Sequence, residues 1–363
     1  MTNTFKVAII NQTKIANPGG AENWIITVAK ELYKLGIEVV VISPYDKKID
    51  DNKLEFITEI TYHSLLYSLL KKISLYNFFY IFVYPNKKID IEKYDLVYTI
   101  SFYHSLILLG RNKKTIIGTH DFFISNKKFG IDSLLFPIKL LTKLLVHKKN
   151  AYIHSLSEIQ THFLSNNYSK IYEIGNNFMA KSIVPVYNDD FTVCFIGKLE
   201  KRKGVDILMR IASQLTNNKK IHLYIVGGGE EKYLEFFRSL NSNNIIYIGY
   251  ASESKKIEIL SKSHVMLILS QREAFPIVAV EGLSAGLSII STWKPLSEIQ
   301  KGYPIFYTTE DAEQIVNRIN QIQEKWRENK DAFYDEMKIR AKKFCAEAQI
   351  DYIKLINMIY SKR

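Results

Sequence analysis

Only two cysteines occur in the 363 residues, Cys194 and Cys345. Two distant thiols make neither a disulfide framework nor a cysteine-rich metal site, and they fit a reducing compartment. Long apolar runs are missing too. The longest charge-free stretches, Ser74 to Asn86 and Leu96 to Gly110, fall short of the roughly 20 residues that span a bilayer. Met1 to Thr4 is polar, and Phe5 to Ile10 is too short for a signal core. The expectation is a cytoplasmic chain that is not integral to a membrane. No zinc-finger spacing and no RNP-type aromatic motif is present, which argues against nucleic acid as a partner. There is no Asp-x-Asp pair, and the nearest substitute, Asp90-Ile91-Glu92, sits in a polar stretch. No metal site is expected.

What is present is ordinary globular material: 47% apolar residues and 24% charged ones. Such a composition excludes a disordered chain, and the length suits two domains better than one. The formal net charge of +12 points to an anionic partner, either a membrane surface or a substrate. Part of it follows a general abundance of Lys, Ile, Asn and Tyr.

Strand and helix signals alternate along most of the chain. Phe5 to Ile10 reads as a buried strand, Asn17-Pro18-Gly19-Gly20 as a turn, and Trp24, Ile25, Val28, Ala29, Leu32 and Leu35 as one face of a helix ended by Gly36. Ile37 to Ile42 is the next strand. This unit opens a doubly wound α/β domain. Asp95 to Ile100, Thr115 to Ile117, Tyr152 to Ser155 and Lys170 to Ile174 continue its sheet, and irregular Asn176 to Asp190 reads as a linker. The pattern restarts at Phe191, with strands at 191–196, 221–226, 245–248, 265–269 and 288–290 separated by helices. The tail from Asp311 reads as helices, the last with Phe344, Ile350, Tyr352, Ile353, Ile356 and Tyr360 on its apolar face.

The richest stretch runs from Arg272 to Ile290. Glu273 precedes a helix whose first turn suits Pro276. Glu281 lies inside that helix, and Gly286 suits its end. A helix start offers free N–H groups and partial positive charge to a diphosphate, and two carboxylates beside it suit sugar and ribose hydroxyls. A bare Glu-x7-Glu is usually a helix with two solvated glutamates. Here the Phe275-Pro276 insert, the Gly282-Leu283-Ser284-Ala285-Gly286 tail and the apolar strand after it reverse that reading. The stretch resembles the Glu-x7-Glu motif of retaining glycosyltransferases of family four.

That resemblance implies the GT-B fold class: two Rossmann-like α/β/α domains facing a central cleft, with a C-terminal helix crossing back to the N-terminal domain. The expected division is 1–180 for the acceptor-binding domain, 181–345 for the donor-binding domain and 346–363 for the returning helix. It further implies a nucleotide-sugar donor, held by residues matching the family's motifs. Gly197-Lys198 and Lys203-Gly204 resemble the family's basic pair on the donor diphosphate, with Lys198 where Arg is usual, so the charge stays but the bidentate fork is lost. Two ammonium groups and a helix start can stabilise a leaving diphosphate without metal, so no cofactor is implied. Glu281 would hold the ribose. Glu273 would orient the donor sugar, with backbone N–H groups at Ala274, Phe275, Pro276 and Ile277 facing it as far as each carries one. Tyr250, after Gly249, matches a backbone contact to the base, and an ordinary turn is the alternative. The Gly227-Gly228-Gly229 turn shapes the wall of the site. Gly19 and Gly20 resemble the Gly-Gly loop beside the diphosphate. Gly118-Thr119-His120-Asp121 resembles the family's His-Asp pair, making His120 the first choice for a contact near the reaction centre, ahead of His104 and His154. Trp293 and Pro295 depart from the family's Gly-containing loop.

Two basic, apolar stretches, Tyr62 to Tyr84 and Ser133 to Lys149, resemble segments that lie on anionic membranes. A core helix with a solvated Lys face is the alternative. They extend the expectation to a glycan or lipid-linked acceptor and to peripheral attachment at the inner face of the membrane. Two other readings share the architecture: a nucleotide-sugar epimerase, for which no acid–base set can be assigned, and a non-catalytic sugar- or membrane-binding protein.

Overall fold

The computed structural model describes residues 4–11, 19–45, 57–63, 90–101, 114–120, 124–125, 151–240 and 242–362. They fall into two compact units. The first comprises Met1–Phe123, Gly130–Asn176 and Asp351–Arg363, and the second Ile124–Phe129 and Asn177–Ile350.

The first unit is built on β1 (Lys6–Ile10), α1 (Gly20–Lys34), β2 (Glu38–Tyr45), β3 (Thr58–His63), β4 (Leu96–Thr99) and β5 (Thr115–Gly118). After the two-residue β6 (Ile124–Ser125), which belongs to the second unit, come β7 (Tyr152–Ser155), α2 (Glu158–Ser165) and β8 (Ile171–Glu173). Among the described residues the strands lie in the order β3-β2-β1-β4-β5-β7-β8, and every pairing is parallel. β4 and β5 are buried along their whole length, as expected for parallel strands covered on both faces. Helix α1 buries Trp24, Ile25, Val28, Ala29 and Leu32, the face its period predicts. Leu35 falls just outside as the C-cap and is exposed, and Gly36 takes a left-handed φ of 72° to turn the chain into β2.

The second unit repeats the plan with β9 (Phe191–Ile196), α3 (Val205–Leu215), β10 (Ile221–Val226), α4 (Glu231–Ser239), β11 (Ile245–Gly249), α5 (Glu253–Lys262) and β12 (Val265–Ile268). It continues through β13 (Arg272–Glu273), α6 (Ile277–Ser284), β14 (Ser288–Ser291), α7 (Pro295–Ile299), β15 (Ile305–Tyr307), α8 (Ala312–Glu328) and α9 (Lys330–Tyr360). Its parallel sheet runs β11-β10-β9-β12-β14-β15, and β13 pairs antiparallel with β6. Trp293, read as a filler of the loop after β14, is fully buried, and Pro295 opens α7.

Two readings need correction. Pro276 is not in the first turn of α6 but is its N-cap, with extended backbone, so the helix begins at Ile277. The apolar face of α9 keeps Phe344 but not the isoleucines at 350 and 353. Ile350 and Ile353 are more than half exposed, while Met337, Ala341, Phe344, Ala348, Leu355, Met358 and Ile359 are buried. The buried residues keep three- and four-residue spacing, and alanines carry part of the stripe.

Helix α9 is continuous through Ile350 and Asp351, so its last turns belong to the first unit. There Lys362 lies over the Tyr152 ring, 3.1 Å from its centroid, with Tyr172 at 5.3 Å, and Lys114 donates to the Lys362 carbonyl. Lys362 is only 6% exposed. A desolvated cation–π contact contributes about 2 kcal/mol. Lys362→Ala should therefore loosen residues 351–362, with amide exchange there rising roughly 10- to 30-fold while that of β9–β12 stays unchanged.

Candidate functional site

In an open parallel sheet, ligands settle outside the carboxyl ends of the strands where the strand order reverses. In the second unit the chain runs from β9 outward to β11 and returns to β12 on the other side, so the reversal falls between β9 and β12. The loops leaving those two strands carry Gly197 to Gly204 and Leu269 to Pro276. They are tied together: Gln271 N–H donates to the Arg202 carbonyl at 3.1 Å. Gly204 has a φ of 74°, and a Cβ there would collide with the Leu269 carbonyl oxygen, so this crossing requires glycine.

Lys203 Nζ donates to Glu273 Oε1 across the two loops. Glu273 is 6% exposed, and the β13–β6 pairing holds its backbone. Lys198 stays on the outside, its side chain 66% exposed and 3.2 Å from Glu200, which also takes Arg202 at 2.7 Å. Eight residues beyond Glu273, Glu281 sits inside α6. Its Oε1 accepts from Lys256 Nζ of α5 at 2.5 Å, and Lys256 also reaches Glu253 at 2.8 Å. Burial pushes the Glu281 carboxyl above its ordinary pKa, against the pull of Lys256. Lys256, although burial disfavours its charge, is held above its ordinary value by Glu281 and Glu253. Both directions are consistent. The ammonium has two carboxylates keeping its proton, whereas for Glu281 burial, aided by Glu253, outweighs the pull of Lys256 and the weaker one of Lys181.

The neighbouring strand ends line the same edge. Gly227 to Gly229 follow β10, and a Cβ on Gly228 would run into the Tyr250 ring. Tyr250 follows β11 and is 80% exposed.

In the first unit the order reverses between β1 and β4. Gly19 is the extended N-cap of α1, and Gly20 is its first residue. A Cβ on Gly19 would strike the Glu22 carboxylate, which is buried and accepts from Asn11 Nδ2 at 3.2 Å. His120 follows β5, half-buried, its ring 4.6 Å from that of Trp24. Tyr98 Oη lies 3.0 Å from His120 Nε2 and 2.5 Å from His154 Nδ1, and His154 Nε2 lies 2.9 Å from the Ile174 carbonyl oxygen. Burial and the neighbouring His154 hold the His120 pKa well below the ordinary imidazole value, and burial lowers that of His154 to about 4. Both rings are neutral at physiological pH.

Comparison with known proteins decides what this arrangement belongs to. Residues 179–343 match the model of the glycosyl transferases group 1 domain, and residues 18–157 match that of glycosyltransferase family 4. The chain belongs to the family 4 glycosyltransferases. The gpi3 subunit of phosphatidylinositol N-acetylglucosaminyltransferase from Schizosaccharomyces pombe is 25% identical over 76% of this chain, and the match spans 63% of that protein's length. The fold is GT-B. Sucrose-phosphate synthase from Thermosynechococcus elongatus superposes with a TM-score of 0.72 at 15% identity, over 99% of this chain and 100% of that one. An Anabaena protein, HepE, crystallised with UDP and glucose, gives 0.68 at 14% identity, over 98% of this chain and 100% of that one.

Within this glycosyltransferase, Lys203 and Glu273 are in contact, and Gly197 and Lys198 begin the same loop. Ala274 and Phe275 are buried behind Glu273, leading into Pro276 and Ile277. Lys198 contacts neither carboxylate of the Glu-x7-Glu pair; its ion pair is with Glu200. Asp121, His104, residues 64–84 and residues 133–149 lie outside the described residues. Asp90, the nearest thing to a metal motif, accepts from Glu92 N–H and caps a short turn at Ile91–Lys93. The sequence reading missed Lys256 and Tyr98. Nothing near Lys256 marks it, since its partner is 25 residues away. Tyr98 was visible only as one aromatic inside a strand. Among the described residues no helix is long and apolar enough to cross a membrane.

Proposed function

We propose that this protein moves a glycosyl group from a UDP- or GDP-sugar to a glycan acceptor, with retention at the anomeric carbon and without a metal. The observation that carries this is the Lys203–Glu273 pair at the β9/β12 reversal, which holds a cation and a carboxylate on adjoining loops beside the start of α6. Lys203 and Lys198 neutralise the diphosphate as its charge grows, Glu273 orients the sugar, and Glu281 takes the ribose hydroxyls. The bond from the anomeric carbon to the phosphate oxygen breaks as the bond to the acceptor oxygen forms on the same face. The acceptor proton passes to the departing diphosphate, so no enzymic nucleophile is required. In the first unit, Gly19 and Gly20 allow close backbone approach to a ligand and His120 is the proposed contact to a sugar.

UDP and glucose bound to the Anabaena neighbour support the donor class. The name of the Schizosaccharomyces relative and the basic stretches Tyr62 to Tyr84 and Ser133 to Lys149 support a lipid-linked acceptor at an anionic membrane surface.

The test is nucleotide release by purified protein from UDP-, GDP- and ADP-sugars, with EDTA and with membrane extract as the acceptor source. The expected result is release from one donor that survives EDTA, rises with extract and leaves radiolabelled sugar in the lipid fraction. Loss of release with EDTA would refute metal independence. Interconversion of the donor sugar with no labelled acceptor would point to the epimerase.

A further inference from the structure

Four rings from four elements of the first unit form one cluster: Trp24 of α1, Tyr98 of β4, His120 after β5 and His154 of β7. Tyr98 is 2% exposed and His154 fully buried, and Trp24 stacks on Tyr98 with ring centroids 5.0 Å apart. The hydrogen bonds through this cluster have a direction that their chemistry fixes. The Ile174 carbonyl can only accept, so His154 Nε2 must carry a proton and donate to it at 2.9 Å. A neutral His154 then has a bare Nδ1, which can only accept, and the atom facing it at 2.5 Å is Tyr98 Oη. Tyr98 therefore gives its single proton to His154. Its oxygen has nothing left to donate, so at 3.0 Å from His120 Nε2 it must accept. His120 thus carries its proton on Nε2, and in the neutral ring Nδ1 is bare.

We propose that Tyr98 and His154 are positioning residues that lock His120 in the Nε2–H tautomer, so that it offers Nδ1 to a ligand as an acceptor and never as a donor. The chain of bonds runs from His120 Nε2–H to Tyr98 Oη, from Tyr98 O–H to His154 Nδ1, and from His154 Nε2–H to the Ile174 carbonyl. Among the described residues the His120 ring is hydrogen-bonded at Nε2 and no hydrogen bond reaches Nδ1. This leaves it for a hydroxyl group, which can donate, and makes it a poor partner for a carbonyl, a carboxylate or a phosphate oxygen, which cannot. The low pKa of both imidazoles fits the same picture, because a protonated His120 would donate from both nitrogens. That this hydroxyl belongs to the transferred sugar rests on the function proposed above; the tautomer itself does not.

The alternative directions fail on the same geometry. Were Tyr98 to donate to His120 Nε2, the proton facing it would have to come from His154 Nδ1, and a neutral His154 would then turn a bare Nε2 to the Ile174 carbonyl. Two acceptors would face each other in a buried site, at the cost of an unmade hydrogen bond.

The tautomer can be read directly. Long-range proton–nitrogen correlation spectra of the full chain, labelled with 15N-histidine, distinguish a protonated from a bare ring nitrogen. The His120 signals are those lost in His120→Asn. The expected result is a protonated Nε2 and a bare Nδ1 for His120 in the ligand-free protein at neutral pH. In Tyr98→Phe the His120 pattern should move to a mixture of both tautomers. A wild-type His120 protonated at Nδ1, or a Tyr98→Phe protein with an unchanged His120 pattern, would overturn the proposal. The wild-type spectrum decides even if Tyr98→Phe does not fold. Because no donor or acceptor is added, a locked Nε2–H form in a protein without turnover would support the relay and sink only the transferase reading.

Discussion

Lys203→Ala should lower kcat/KM for the donor by about two to three orders of magnitude, the range seen when one group stabilising transition-state charge is removed. Lys203 is placed for two tasks. It faces the β9/β12 reversal, where the proposed reaction gathers charge on the departing diphosphate, and it holds Glu273, whose side chain is 8% exposed. Its loss leaves that carboxylate buried without its cation. Breaking one side of a buried pair costs about 3–5 kcal/mol, and the lower end applies here because the Lys203 side chain keeps 22% exposure. The two tasks separate in the double variant Lys203→Met/Glu273→Gln. It removes both charges, so thermal stability should return most of the way while activity stays at or below that of the single variant. Recovery of activity with stability would show that Lys203 matters only for folding. A single variant with undiminished kcat/KM would remove Lys203 from the site.

The stretches most legible in the sequence were those where one physical demand acts on consecutive residues. Parallel strands buried on both faces leave unbroken apolar runs, which is why β1, β4, β9 and β12 could be placed within a residue or two. The β9 and β12 loops were legible for a different reason. Glycine at 204 is forced by a backbone crossing, and the basic cluster and the two glutamates eight apart lie close enough in sequence to be recognised as one motif. What escaped depends on contacts that sequence spacing does not encode. β3 is an edge strand with polar residues among the apolar ones, and β15 is an edge strand of only three residues. The β6–β13 pairing joins segments nearly 150 residues apart through two residues each. Lys256 reaches Glu281 only because α5 and α6 place them together, and the His120–Tyr98–His154 relay needs three strands in register. In α9 large side chains misled the reading. Ile350 and Ile353 drew the apolar face away from a buried stripe partly made of alanine.

Glu281→Gln should weaken donor binding by roughly 10- to 100-fold, since a hydrogen bond to a charged group contributes about 1.5–3 kcal/mol, and nucleotide alone should show the same loss if the ribose is what Glu281 holds. Lys256→Met probes the same carboxylate by another route. Among the described residues Lys256 is the ammonium bonded to Glu281, and burial already raises the Glu281 pKa despite it. Without the ammonium that pKa rises further. The sign of the consequence follows from proton binding. A carboxyl with a raised folded pKa holds its proton more tightly folded than unfolded, so stability is greatest below the unfolded pKa and falls as pH rises through the folded one. Lys256→Met should therefore be destabilised more at pH 7 than at pH 4. In donor binding the same shift appears from the acid side. As pH is lowered, Glu281 becomes protonated sooner in the variant than in the wild type, so the variant's affinity should fall at a higher pH. Isothermal titration with the preferred nucleotide between pH 5 and pH 8 reads this displacement. Coincident profiles for Lys256→Met and wild type would mean that Lys256 does not set the charge on Glu281, and equal nucleotide affinity in Glu281→Gln would take the ribose away from this carboxylate.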